Sequence, residues 1–234
     1  MVSTKKIKII LQIIRYLPYT IFFNFRHLPF SQASKLPILL YKPKILSNNG
    51  KYEIIGKIRF GMIRLGFPNV SIFPNNGITL ENRGVVIFGG RCRLGNDSAI
   101  SVGSKGYLSI GNDVFSSCGL KLVCYHKIAI GNMVRIGWNI ICMDTDFHSM
   151  KSVDGGNKSK GYGSITISDH TWIASFCKIY KHTFVPEWCT VSSNTILKQI
   201  VEAPPYSVIY NPIQIDSKYI ARYRDPYDDR IDYQ

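Results

Sequence analysis

From Phe88 onward the chain keeps a period of six residues, which neither an α-helix nor a heptad repeat can produce. Aliphatic or aromatic side chains stand at Phe88, Leu94, Ile100, Ile110, Ile130 and Ile136, then at Ile167, Ile173, Ile179, Val185, Val191 and Leu197 without a slip. The residue after each is usually small, as at Gly95, Gly111, Gly131, Gly137, Ser168 and Ala174. Four places after each comes another small or β-branched residue, among them Cys92, Ser98, Ser104, Val114, Thr171, Cys177, Thr183 and Thr195. Two inward positions flanking one outward residue are what a short β-strand requires, and glycine beside them suits a corner with unusual backbone angles. Three such strands make a coil of eighteen residues, so Ile167 stacks on Val185, Ile173 on Val191 and Ile179 on Leu197. Each coil buries its aliphatic residues only against its neighbours, and the ends need caps.

The pattern predicts an all-β parallel β-helix. It divides the chain into an N-terminal helical, amphipathic segment (1–48), the β-helix (49–200) and a C-terminal extension (201–234). The repeat is clearest over roughly residues 80–200. It breaks once, at ICMDTDFHSM (141–150), after which an external loop spanning 148–164 carries glycines and lysines in place of the repeat.

With 234 residues, 45% of them hydrophobic, the chain can build one sizeable core. Its net charge of +14 favours anionic partners, but the charge is spread along the chain and no nucleic-acid-binding module is recognisable, so nucleic acid is not an expected partner. The six cysteines have neither C-x-x-C pairing nor a disulfide or zinc-ribbon spacing. They read as reduced core thiols of a cytoplasmic protein.

The segment KKIKIILQIIRYLPYTIFFNFRHLPF is apolar and basic, and Lys8, Arg15 and Arg26 interrupt it before it reaches the ~18 residues needed to span a bilayer. It lacks a clean small-residue cleavage site and so does not read as a signal peptide. It either packs on the end of the β-helix or lies along an anionic membrane at the inner face, and both can hold together.

Four segments carry a resemblance: DTDFH, ITISDHTWIAS, VSSNTILK and PPYSVIYNP, in this order and at these intervals. With the hexapeptide repeat, they resemble the left-handed parallel β-helix acyltransferases, and within them the O-acetyltransferases of the galactoside, maltose and capsular-polysaccharide type. The left hand comes from that family. The resemblance implies an acetyl-CoA-dependent O-acetyltransferase, a homotrimer with active sites between protomers, acting on a sugar hydroxyl of a bacterial surface polysaccharide or its precursor.

His148 occupies the position of the family's catalytic histidine. A neutral imidazole is the natural base for taking an alcohol proton at cellular pH. Asp146, with Asp144 as second candidate, is the local group to orient it, and a backbone carbonyl can do the same work. The resemblance points to Ser175 and Ser193 for the pantetheine arm and to Lys198 for the coenzyme's phosphates. Lys198 falls on the threonine of the family's terminal T-K pair, with Gln199 on its lysine; Lys218 and Arg222 are further basic candidates. Trp138, Tyr125 and Asp144 are the candidates for the acceptor sugar.

Two other readings stand beside this one. N-acylation of a nucleotide-linked amino sugar uses the same fold, and a β-helix that has kept its coils and lost turnover is a scaffold. His126, His148 and His170 lie 22 residues apart, a spacing that suggests a zinc site, but the close H-x-x-x-x-H pair of the zinc-binding β-helices is missing and no metal is expected.

Overall fold

Every member of the six-residue series from Phe88 to Leu197 is buried, and the strands that carry them pair only in parallel. The computed structural model describes residues 4–211, 222–224 and 231. Its chain coils through three parallel sheets, the three-sided arrangement expected of the left-handed parallel β-helix. Face A has eight strands, from Ile38–Leu40 to Val208–Ile209; face B has seven, from Pro43–Asn48 to Ile196–Leu197; face C has six, from Lys51–Ile54 to Phe184–Val185. The first strands lie at Ile38 and Pro43, inside the stretch that sequence assigned to the helical segment.

Below the interruption the register is the eighteen-residue one: Ile167 pairs with Val185, Ile173 with Val191 and Ile179 with Leu197. Above it the coils are longer. Cys92 pairs with Val114, 22 residues on, and Leu108 with Ile128, 20 residues on. The extra residues form turns such as Gly103–Gly106, closed by a Gly106 N–H to Gly103 carbonyl bond of 2.9 Å. Ser104, expected to face inward, is therefore exposed.

The corners also differ from expectation. The left-handed residue lies three places after each repeat aliphatic and is not glycine: His170, Phe176, His182, Trp188 and Asn194 have φ between 59° and 67°. The small residue immediately after the aliphatic answers a different need, the close approach of the next coil. A Cβ on Gly111 would sit 2.5 Å from the backbone of Gly131.

Three helices cap the N-terminal end: α1 (Thr4–Arg15), α2 (Leu17–His27) and α3 (Phe30–Ala33). The outermost strand of a stack leaves backbone groups unpaired, and α2 satisfies them from its side chains. Asn24 Nδ2 donates to the Ile38 carbonyl at 2.7 Å, and Asn24 Oδ1 accepts the Ile38 N–H at 3.2 Å. Thr20 Oγ1 accepts the Leu40 N–H at 3.1 Å. Phe23 packs edge-on to Tyr52, while Ile13 of α1 and Tyr16, which joins α1 to α2, lie on Leu39, Tyr41 and Phe67. The packing face of the segment is thus occupied, and Ile10, Leu11, Ile14, Phe22 and Phe25 point outward. Among the described residues no helix is long and apolar enough to cross a membrane. All six cysteines are unpaired and buried.

Candidate active site

Asp144 to Gly163 is an excursion from the corner between faces B and C, and its base is closed by backbone pairing. The Gly163 N–H donates to the Asp144 carbonyl at 3.0 Å, the Asp146 N–H donates to the Gly161 carbonyl at 2.8 Å, and Thr145 bridges Tyr162 in antiparallel sense. Farther out the Ser159 N–H donates to the Met150 carbonyl at 2.7 Å. The strand Met150–Ser152 then pairs antiparallel with Arg222–Arg224. The loop is therefore an arm with a fixed root, tied to the C-terminal extension. Of the two further basic candidates, Arg222 pairs by its backbone with Ser152, and Lys218 lies outside the described residues.

The root is built around Asp144, which is fully buried. Its Oδ1 accepts the N–H of Tyr125 at 2.7 Å and its Oδ2 that of His126 at 2.8 Å, both on the coil above. Burial pushes its carboxyl above the ordinary aspartate range, while those N–H bonds pull the other way. Burial holds the His126 imidazole below its ordinary value; the Asp144 carboxylate opposes that shift, and Lys160, Lys127 and His182 add to it. Asp146 is exposed, and its Oδ2 pairs with Lys181 Nζ at 2.8 Å. Half-buried His148 follows Phe147, which takes a positive φ of 60° and packs edge-on to Tyr125 at 4.9 Å.

Two further histidines join this cluster. The His126 ring lies 4.8 Å from that of Tyr162. His182 lies against Gly163, where a Cβ would come within 2.2 Å of its Cε1. One coil toward the C-terminus, a cleft of about 660 Å³ is lined by Ser164, His182, Phe184 and Lys198. The B–C corner thus gathers Tyr125, His126, Asp144, Asp146, His148, Lys181, His182 and Lys198 on successive coils.

The remaining candidates lie elsewhere. Trp138, Ser175 and Ser193 are at the A–B corner, where the Trp138 N–H donates to Ser175 Oγ at 3.0 Å and the Asn194 N–H to the Ser175 carbonyl at 3.1 Å. Trp138 packs edge-on to Phe73. His170, third member of the 22-residue series, turns the C–A corner and stacks flat on Trp188 at 3.8 Å, apart from the other two. Among the described residues, no three His, Cys, Asp or Glu side chains are grouped to hold a metal ion.

Neither a protein-family model nor a curated protein matches this sequence. Among solved structures, a crystallographic analysis of the polysialic acid O-acetyltransferase OatWY is similar at 18% identity over 76% of this chain and 81% of that one, with a TM-score of 0.36. That likeness is weak, and the fold is established by the strand pairing itself.

Proposed function

We propose that the protein is an acetyl-CoA-dependent O-acetyltransferase that modifies a sugar hydroxyl of a surface polysaccharide or its precursor, with His148 as general base. The observation that carries this reading is the longest interruption of the β-helix. It opens at a corner on a buried aspartate and presents a histidine at its mouth, within the segment that resembles the family's catalytic one. The acceptor oxygen attacks the thioester carbonyl while the imidazole takes its proton. The tetrahedral adduct collapses, the C–S bond breaks, and the proton passes to the departing thiolate. No acyl-enzyme is involved.

Lys198, which lines the B–C cleft, is proposed to meet a phosphate, and the Ser175 and Ser193 backbones to bond an extended pantetheine arm. Within one chain these serines and His148 occupy different corners. A second protomer whose A–B corner faces this B–C corner completes the site, which is the support for a homotrimer. Tyr125 at the mouth, and Trp138 from the neighbouring corner, are proposed to face the acceptor, and Asp146 to position His148. Peripheral contact with an anionic membrane, through the outward residues of α1 and α2, is proposed to bring the protein to its substrate.

The test is His148→Ala. Acetyl transfer from acetyl-CoA to glycan, or slow thioester hydrolysis, should fall by about 10²–10⁴ with CoA binding retained; unchanged turnover would overturn His148 as the base, and no turnover in the parent would leave the scaffold reading standing. Lability of the product to mild base separates the ester from the amide.

A further inference from the structure

Away from the B–C corner, the outward positions of face A form a single register row. Leu39 pairs with Arg64, Arg64 with Arg93, Arg93 with Phe115, Phe115 with Arg135, and Arg135 with Trp172. Residues paired in a parallel sheet project to the same side, with strands about 4.8 Å apart. Three guanidinium groups and two aromatic rings therefore line one track down the helix axis. At the C–A corner beside its upper end lies a cleft of about 490 Å³, whose walls include Lys57, Arg59, Arg64, Arg91 and Arg93 and no acidic residue.

The acids nearby neutralise only part of this charge. Asp113 bonds Arg91 and Arg135, each at 2.7 Å, and is thereby committed. Among the described residues Lys57, Arg59, Arg64 and Arg93 have no carboxylate partner. Arg64 is half-buried and uses its Nε on the Gly61 carbonyl at 3.1 Å. Burial, and the Arg93 charge beside it, both weaken its hold on its proton. A sheet that sets two arginines side by side and leaves them without a counter-ion is destabilised by their repulsion. An anion from outside would relieve it.

We infer that this track and its cleft bind an acidic glycan chain, whose carboxylate or phosphate groups meet Arg64, Arg93 and Arg59 while its sugar rings lie on Phe115 and Trp172. The guanidinium fork matches either oxyanion in a bidentate manner. The aromatic faces alternating with it offer the apolar surface that a pyranose ring presents. That the anionic chain is a glycan rests on the acyl-transfer reading above; the anion site itself does not. Its place on face A, away from the B–C corner, suits a polymer held at a distance from the hydroxyl being modified.

The test is direct binding of a galacturonic acid oligomer of about ten units, by calorimetry at low salt and without acetyl donor, so that it is independent of the His148→Ala result. The full chain should bind the oligomer. Arg64→Gln/Arg93→Gln should weaken binding about tenfold or more, as loss of charge-assisted bonds implies. Lys44→Gln/Lys178→Gln, which removes the same charge from face B, should change it less than about twofold. Arg93→Gln alone should unfold no lower than the parent, which separates lost binding from lost structure. Absence of oligomer binding, or equal weakening by both double variants, would overturn the site. Tighter binding of inorganic tripolyphosphate or of a single-stranded oligonucleotide than of the glycan would overturn its assignment to a glycan.

Discussion

Asp144 and His126 are joined across successive coils by a backbone N–H to carboxylate bond of 2.8 Å, and Tyr125 makes a matching one at 2.7 Å. The buried carboxylate thus caps the chain where it turns the corner above the excursion. Removing it strands two donors, each worth about 1–3 kcal/mol when left unsatisfied. Because Tyr125 and His126 are partly open to water, Asp144→Ala should lose about 2–4 kcal/mol, a fall in Tm of about 5–10 °C for a chain of this size. Asn at the same position keeps one acceptor and should lose about half as much. A thermal melt of Asp144→Ala within about 1 °C of the parent would refute this role.

Asp146 is shared between the role proposed for it and its ion pair with Lys181. Lys181→Met removes the competing cation, leaves Asp146 to His148 and should keep kcat at or above that of the parent. Asp146→Asn should lower kcat with KM little changed. The ion pair is largely exposed, so neither change should alter stability by more than about 1 kcal/mol. A kcat of Asp146→Asn equal to that of the parent would remove Asp146 from the positioning role.

His126 supplies a pH dependence of stability. Its folded-state pKa is lowered, chiefly by burial, so between that value and the unfolded one, near 6.5, the unfolded chain binds more protons. Stability therefore rises with pH across that window and is lost on acidification through it. Denaturant titrations from about pH 7 to pH 5 should show the decline, and His126→Gln should flatten it.

The cysteines should be silent in the native protein. All six are buried, and burial pushes the Cys118 thiol up to about 11 and that of Cys142 up to about 12. Thiolate is the reactive form. Ellman's reagent at about pH 8 should thus label less than one equivalent, and all six once the chain is unfolded. Ready labelling of the native protein would show that the coils open.

The outward residues of the N-terminal helices lend themselves to a vesicle assay. Ile14 and Phe22 are 59% and 64% exposed, and Arg15 and Arg26 lie in the same helices. Co-sedimentation with vesicles containing about one-third anionic lipid should be lost in Ile14→Ser/Phe22→Ser and reduced by salt. Equal recovery with neutral vesicles would argue against the charge component.

The lower half of the β-helix was legible because its coils keep eighteen residues, so Ile167, Ile173 and Ile179 named their own partners. The upper half was blurred by turns such as Gly103–Gly106, which put Ser104 in solvent. The strands from Ile38 and Pro43 were hidden because a helix, rather than another coil, covers the first of them. At the candidate site, the interruption marked His148 and Asp144, but the company of His126 and His182 depends on coils of unequal length. A fixed 22-residue spacing put His126 with His148 but added His170, which the fold turns away, and passed over His182. The arginine row was equally invisible, since Arg64, Arg93 and Arg135 become neighbours only once each coil has its true length.

Because the strands of each coil pair only with those directly above and below, the stack has a mechanical grain. Pulled by its ends, it should peel one coil at a time instead of rupturing at once. Each eighteen-residue coil would release about 60 Å of slack. The coil bearing the excursion, in which Ile128 pairs with Ile165, would yield roughly twice that. A force trace would therefore show where along the molecule the arm is rooted.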